Sequence, residues 1–176
     1  CNLRCRICAP HLSSSWYDDG KKLYPGYQFY QKEKVLRIDK DVNELWEQLR
    51  PHIDQLEYIQ FAGGEPLLME EHLRILLKLK ELGKTDIRIT YNTNLTVSHF
   101  KQWNIFELWS EFSNVLVMAS LDGMGDKGEF LRKGQNWKRT EQLRAEMKEK
   151  CPNVQFRIDP TISIHNVLHI PEFYRN

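Results

Sequence analysis

Three cysteines crowd the first eight residues, Cys1-Asn2-Leu3-Arg4-Cys5-Arg6-Ile7-Cys8. Spaced at i, i+4 and i+7, they can be aimed by one compact turn at a single inorganic centre. A cubane of four irons and four sulfides has four corners, so three thiolates leave one iron open to a ligand from outside the protein. The ordinary four-cysteine cluster has no such vacancy. If His11 supplied a fourth ligand instead, Cys1, Cys5, Cys8 and His11 would close a tetrahedral zinc shell, and the chain would read as a zinc-stabilised binding module that catalyses nothing. The octet alone leaves both readings open.

The elements that must position these thiols fit one domain. A chain of 176 residues can bury a sizeable core. Basic and acidic residues number 25 and 24, for a net charge of +1, and no basic run suggests a nucleic acid partner. No apolar run approaches the roughly 18 residues of a membrane span, and no charged-then-apolar leader opens the chain, so the cytoplasm is the default compartment. Three cysteines this close favour metal or cluster binding over disulfides in an intracellular enzyme. Because the chain begins on a cysteine and not a methionine, a segment of something longer is expected.

Residues 9–40 read as a long loop with scattered aromatics, either a surface flap or a substrate lid. Asp41 with Glu44 then opens an amphipathic helix. Next come a short buried strand over 58–62, a helix from Pro66 to Gly83, an alternating strand over 87–91, and a helix capped by Ser98 that carries Trp103, Phe106 and Trp109. A strand at 115–121, a helix from about Asn136 to Lys150, a strand over 154–164 containing Pro160, and a helix beginning near His169 complete the pattern. Alternating strands and helices imply a parallel α/β sheet. A complete eight-stranded barrel needs about 250 residues, so a partial, open TIM-like barrel truncated at both ends is expected. Its active site should lie at the carboxyl ends of the strands. Cys151 follows Met147 and Leu143 at helical spacing and reads as a small buried hydrophobe. His52, His72 and His99 read as surface positions on helices.

Gly63-Gly64-Glu65-Pro66 stands at the end of the strand over 58–62. Two glycines let the backbone approach a ligand closely, and Glu65 offers a carboxylate to an ammonium group. A plain strand-to-helix turn is the bland alternative. Together with Cys1, Cys5 and Cys8, the tetrapeptide resembles the radical S-adenosylmethionine (radical SAM) superfamily, whose signature is a CxxxCxΦC loop after the first strand and GGEP after the second. Ile7 stands at Φ. The resemblance covers nearly the whole chain and implies a (βα)6-type core spanning 1–176, with strands two to five and the cluster loop at the N-terminus.

The same resemblance implies roles. Cys1, Cys5 and Cys8 would hold a 4Fe-4S cluster whose open iron is chelated by the amino and carboxylate groups of S-adenosylmethionine. Gly63, Gly64 and Glu65 would face the methionine amino group, and Ile7 the adenine. Thr93-Asn94 resembles a Thr-Asn pair of the molybdenum cofactor and peptide-modifying branches, with Leu95 where a glycine usually follows. Ser120-Leu121-Asp122-Gly123 and Arg132-Lys133-Gly134 resemble the SLDG and RG features of the peptide-modifying, SPASM/twitch-type branch. There the serine contacts ligand oxygens and the arginine binds the methionine carboxylate, which a planar guanidinium fork suits. A solvated loop charge is the alternative for Arg132, and Asp122 could simply build a turn. Thr161 and Ser163 could reach adenine or ribose. The implied activity is reductive cleavage of S-adenosylmethionine to a 5′-deoxyadenosyl radical that abstracts hydrogen from a peptide or protein, with a flavodoxin- or ferredoxin-type reductant. A degenerate barrel that binds the cofactor without turnover is a further alternative.

Overall fold

Polar and apolar side chains alternate through Arg88-Ile89-Thr90-Tyr91-Asn92-Thr93, which specifies a strand with one dry face. That asymmetry organises the molecule. The computed structural model describes residues 1–9, 12–31 and 42–175. The chain runs through β1 (Arg4–Cys5), α1 (Tyr17–Leu23), α2 (Val42–Leu49), β2 (Tyr58–Phe61), α3 (Glu70–Glu81), β3 (Arg88–Thr93), β4 (His99–Phe100), β5 (Trp103–Asn104) and α4 (Ile105–Trp109). It continues through β6 (Asn114–Ala119), α5 (Gly125–Leu131), β7 (Arg132–Lys133), α6 (Trp137–Lys150), β8 (Gln155–Ile158) and α7 (Ile170–Phe173). Strands β2, β3, β6 and β8 form one parallel sheet in that order, the α/β arrangement that the alternating pattern predicts.

In register, Ile89, Tyr91, Val115, Val117 and Ala119 share a fully buried face of the sheet and join one core with Leu73, Leu76, Leu79, Phe106, Trp109, Leu143 and Met147 from α3, α4 and α6. The opposite face carries Tyr58, Gln60, Arg88, Thr90, Asn92, Asn114, Met118, Gln155 and Arg157. Leu116 shares this face, and hydrogen bonds join some of its polar members. Gln60 donates to Asn92 at 2.8 Å, and the Arg88 guanidinium lies over the Tyr58 ring.

Local chemistry sets the element ends. Helix α3 closes in a Schellman motif, with Gly83 at φ +70° and the Lys84 and Gly83 N–H groups donating to Leu79 and Lys80 carbonyls. Asn136 caps α6 by accepting the Arg139 N–H at 2.8 Å. Helix α5 packs so closely on Gly123 that a Cβ at Gly128 would come within 2.5 Å of the Gly123 carbonyl oxygen.

The loop predicted over 9–40 contains the helix α1 at Tyr17–Leu23, and three further expectations are corrected. The helix predicted from Ser98 gives way to a hairpin, β4 with β5, turning on Lys101 at φ +53°. The Ser98 hydroxyl donates to Glu146, and α4 starts at the later cap Asn104, whose Oδ1 accepts the Phe106 and Glu107 N–H groups. His99 consequently lies on a strand. Strand β8 ends at Ile158, well before 164, because Pro160 has no N–H and the Thr161 N–H is taken by the Asp122 carboxylate.

His72 is the third correction. It is 2% exposed, wedged against Phe61 and Tyr91 at ring distances of 4.7 and 5.3 Å. Its Nε2 pairs with the Tyr91 hydroxyl at 3.0 Å, while Nδ1 has no partner among the described residues. The predicted Asp41 cap and the stretch 32–40 of the predicted loop lie outside the described residues. Among the described residues no helix is long and apolar enough to cross a membrane.

Burial lowers the His72 pKa from the ordinary 6.5 to about 3. The ring thus stays neutral in the fold, while the unfolded chain takes up a proton below about pH 6.5. Stability contributed by the neutral ring is complete above that pH and falls as the pH drops toward 3, by at most about 1.4 kcal/mol per unit. Chemical denaturation across this window should show a steeper acid loss for the parent than for His72→Gln; equal slopes would contradict the assignment.

Candidate active site

A strand of two residues has little hold of its own, so the loop bearing the three thiols is positioned by what it docks on. Strand β1 pairs antiparallel with β7, setting Cys5 opposite Arg132, and the Arg6 N–H and Nε donate to the Leu131 and Phe130 carbonyls, each at 2.8 Å. From the other side, the hydroxyls of Ser13 and Ser15 and the indole N–H of Trp16 donate to the carbonyls of Leu3, Cys1 and Cys5. Sequence reasoning missed this clasp. Its signal was the Ser13-Ser14-Ser15 run, since serine hydroxyls readily satisfy nearby backbone.

The turn at the end of β2 meets the start of the same loop. Gly63 and Gly64 have φ of +79° and +57°, and a Cβ on Gly64 would sit 3.5 Å from the Cys1 nitrogen. Glu65 is turned inward: it accepts from Thr93 Oγ1 at 2.6 Å, from the Asn94 N–H at 2.7 Å and from the Leu67 N–H at 3.2 Å. Burial raises its pKa, and these three donors oppose the rise. A carboxylate offers roughly four acceptor positions, so some capacity remains for a ligand ammonium. Leu95, after this pair, has φ +49° and is fully buried, its N–H donating to Thr93 Oγ1 at 3.0 Å. The left-handed backbone that glycine favours is thus kept by a leucine, at a cost of about 1–2 kcal/mol.

Arg132 is buried, with Nε 2.7 Å from Asp122 Oδ2 and Nη1 donating to Asn94 Oδ1 at 2.9 Å. Asp122 reaches onward, taking the Thr161 N–H on Oδ1 at 2.8 Å, and its carbonyl accepts from Asn166 Nδ2. One network of polar contacts therefore runs from Glu65 through Thr93, Asn94, Arg132 and Asp122 to Thr161, crossing the carboxyl ends of β2, β3, β6 and β8. Asp122 and Asn166 are more deeply engaged in it than the sequence suggested. Ser120 is half-buried beside it, its N–H donating to the Thr93 carbonyl, and Ile7 is half-buried on the thiol loop. The Thr161 and Ser163 backbones are held by Asp122 and Asn166.

All four cysteines are free thiols. Cys151 is buried against α6, donating to the Met147 carbonyl, away from the other three. Cys5 is buried, and its pKa is pushed up to about 11, chiefly by desolvation, with Arg132 pulling it back and the neighbouring Cys8 pushing further. Among the described residues no three cysteine, histidine or acidic side chains are grouped to hold a metal ion as they stand. His11, the fourth ligand of the zinc reading, lies outside the described residues.

The sequence profile of the radical SAM superfamily matches residues 1–166. The chain belongs to that superfamily. Among curated relatives, a 7,8-dihydro-6-hydroxymethylpterin dimethyltransferase of Methanocaldococcus jannaschii is 24% identical over 156 residues, covering 89% of this chain and 26% of the relative. Among solved structures, Streptococcus suis SuiB bound to S-adenosylmethionine matches with a TM-score of 0.60 at 20% identity, over 98% of this chain and 35% of that one. Native anSMEcpe with bound AdoMet and Cp18Cys peptide matches with a TM-score of 0.60 at 21% identity, over 99% and 44%. These likenesses establish a shared fold. The chain spans about a quarter of the pterin enzyme and less than half of either structure.

The donor set of this radical SAM chain fits an iron-sulfur cluster. Soft thiols on one short loop suit such a centre. The Arg132 guanidinium beside Cys5 and the Asn94 amide beside Cys1 offer positive partners to thiolate charge.

The Arg132–Asp122 pair makes a stability prediction, because its side chains are only 7% and 1% exposed. Asp122→Ala strands a buried cation and should destabilise the chain by about 3–5 kcal/mol. Asp122→Leu combined with Arg132→Met should recover most of that loss in equilibrium denaturation. A single substitution no worse than the double would show that the pair is solvated.

Proposed function

We propose that the chain is the core of a radical SAM enzyme in which Cys1, Cys5 and Cys8 hold a 4Fe-4S cluster and the surrounding strand ends bind S-adenosylmethionine, for hydrogen abstraction from a peptide or protein. The observation that carries this reading is the docking of the thiol loop on the carboxyl ends of the strands, with Cys1 against Gly64 and Cys5 paired to Arg132. When bound, the cluster supplies the single electron for reductive cleavage of S-adenosylmethionine. That electron comes from a flavodoxin- or ferredoxin-type donor in this reading.

The chain's own residues bind and orient. The Gly63 backbone, with nothing within 4 Å of where a Cβ would stand, admits the methionine amino group, and Glu65 presents its remaining acceptor capacity there. The Arg132 guanidinium, fixed by Asp122 and Asn94, places positive charge where the methionine carboxylate would lie. Ile7 supplies an apolar surface to the adenine, with Ser120 and the Thr161 segment near the ribose. The polar sheet face suits a peptide: the Gln60–Asn92 pair offers amide groups to a backbone. The SLDG and RG features support the same substrate class.

Anaerobic reconstitution tests the proposal. The expected result is a brown protein with about four irons and four sulfides per chain that cleaves S-adenosylmethionine on reduction. Stoichiometric zinc without cleavage would sink it in favour of the binding module, and cleavage with no product from any peptide would point to the degenerate barrel. Cys5→Ala should abolish cluster loading while Cys151→Ala retains it. With the cluster intact, Glu65→Gln should weaken S-adenosylmethionine binding by roughly tenfold or more, the worth of one charge-assisted bond.

A further inference from the structure

Among the described residues, the Asn94 side chain connects the thiol loop to the buried arginine. Its Nδ2 donates to Cys1 Sγ at 3.4 Å and to Asn2 Oδ1 at 2.9 Å, while its Oδ1 accepts from Arg132 Nη1 at 2.9 Å. The orientation of the amide follows from these partners. Flipped, it would set its NH2 group against a guanidinium and its oxygen against a sulfur and a carbonyl-type oxygen, pairing like with like at every contact. Asp122 holds the guanidinium, and the Asn94 N–H is itself anchored on Glu65. Asn94 is 6% exposed, so water competes poorly for these bonds.

We infer that Asn94 is a positioning residue that raises the reduction potential of the cluster through its N–H···S bond to Cys1. This rests on the cluster reading above and gives Asn94 a role other than touching S-adenosylmethionine. The physics is electrostatic. Reduction adds one negative charge to a centre whose thiolate sulfurs share it, so a donor aimed at a sulfur stabilises the reduced state more than the oxidised one. Partners that orient a ligand also strengthen its hold on the metal. Arg132 acts through Asn94 by keeping the donor side of the amide on the sulfur.

The test is a reductive titration of the anaerobically reconstituted protein with dithionite, followed by the spin signal of the reduced cluster, together with the rate of iron loss to a chelator. Asn94→Leu has similar bulk and no donor; Asn94→Asp keeps an acceptor for Arg132 but cannot donate to sulfur. Both should titrate at a more negative midpoint, with an equilibrium constant for reduction about tenfold lower, or about 59 mV for one electron. Iron retention should weaken by about ten- to a hundredfold. Asn2→Ala, which removes the other acceptor but leaves the donor to Cys1, should titrate with the parent. If Asn94→Leu loads too poorly to titrate, Asn94→Met, uncharged and without a donor, carries the measurement, since the Asp charge alone also lowers the potential. A loaded variant at the parent's potential overturns the inference and leaves the enzyme reading standing; a parent that takes up no iron and sulfide overturns both.

Discussion

The guanidinium of Arg132 is out of water, and a buried charge must be compensated on every side or it destabilises the fold by several kcal/mol. Its compensation fixes the geometry of the strand ends. Asp122, from the end of β6, neutralises it, and Asn94, from the end of β3, takes a second N–H. The backbone of Arg132 itself pairs with that of Cys5. Three segments distant in sequence thus converge on one cation. A buried ion pair is a weak source of net stability, and its better-attested use is to impose a single register. Here that register relates the thiol loop to the two central strands.

Around this anchor the sheet is two-sided in character. Parallel sheets are commonly dry on both faces. Among the described residues the face toward α3, α4 and α6 is dry, and the other presents carboxamides, hydroxyls and two arginines beside Leu116 and Met118. The apolar face supplies the hydrophobic driving force, which leaves the polar face free to be specified by something other than folding. Most of that face is exposed, so water can satisfy its polar groups.

Much of this was legible in the sequence. Period-two alternation placed β3, a continuous apolar run placed β6, Gly83 marked the end of α3, and Asn136 marked the start of α6, because each signal is local. The hairpin at 99–104 was hidden because Trp103, Phe106 and Trp109 recur at helical spacing, and its turn uses Lys101 at positive φ without a glycine to announce it. His72 was misplaced although it shares a stripe with Leu76 and Leu79 at i, i+4 and i+7. At the site, residue types were readable and directions were not. Glu65 faces Asn94 from 29 residues away and Arg132 faces it from 38, and no local pattern encodes which way such side chains turn.

Strand order in the sheet follows chain order, so each strand–helix unit can add to the edge of its predecessor through contacts close in sequence. The thiol loop is different. Its bonds reach Asn94 across 93 residues and Phe130 across 124. Closing so large a loop costs entropy before any contact rewards it, and local pairings form faster than distant ones. The surface that receives the cysteines, the end of β3 and the turn after α5, is therefore expected to assemble before the thiol loop docks on it. Maturation of such a centre is then a docking event on a finished platform, and the sheet can form before the cysteines are engaged.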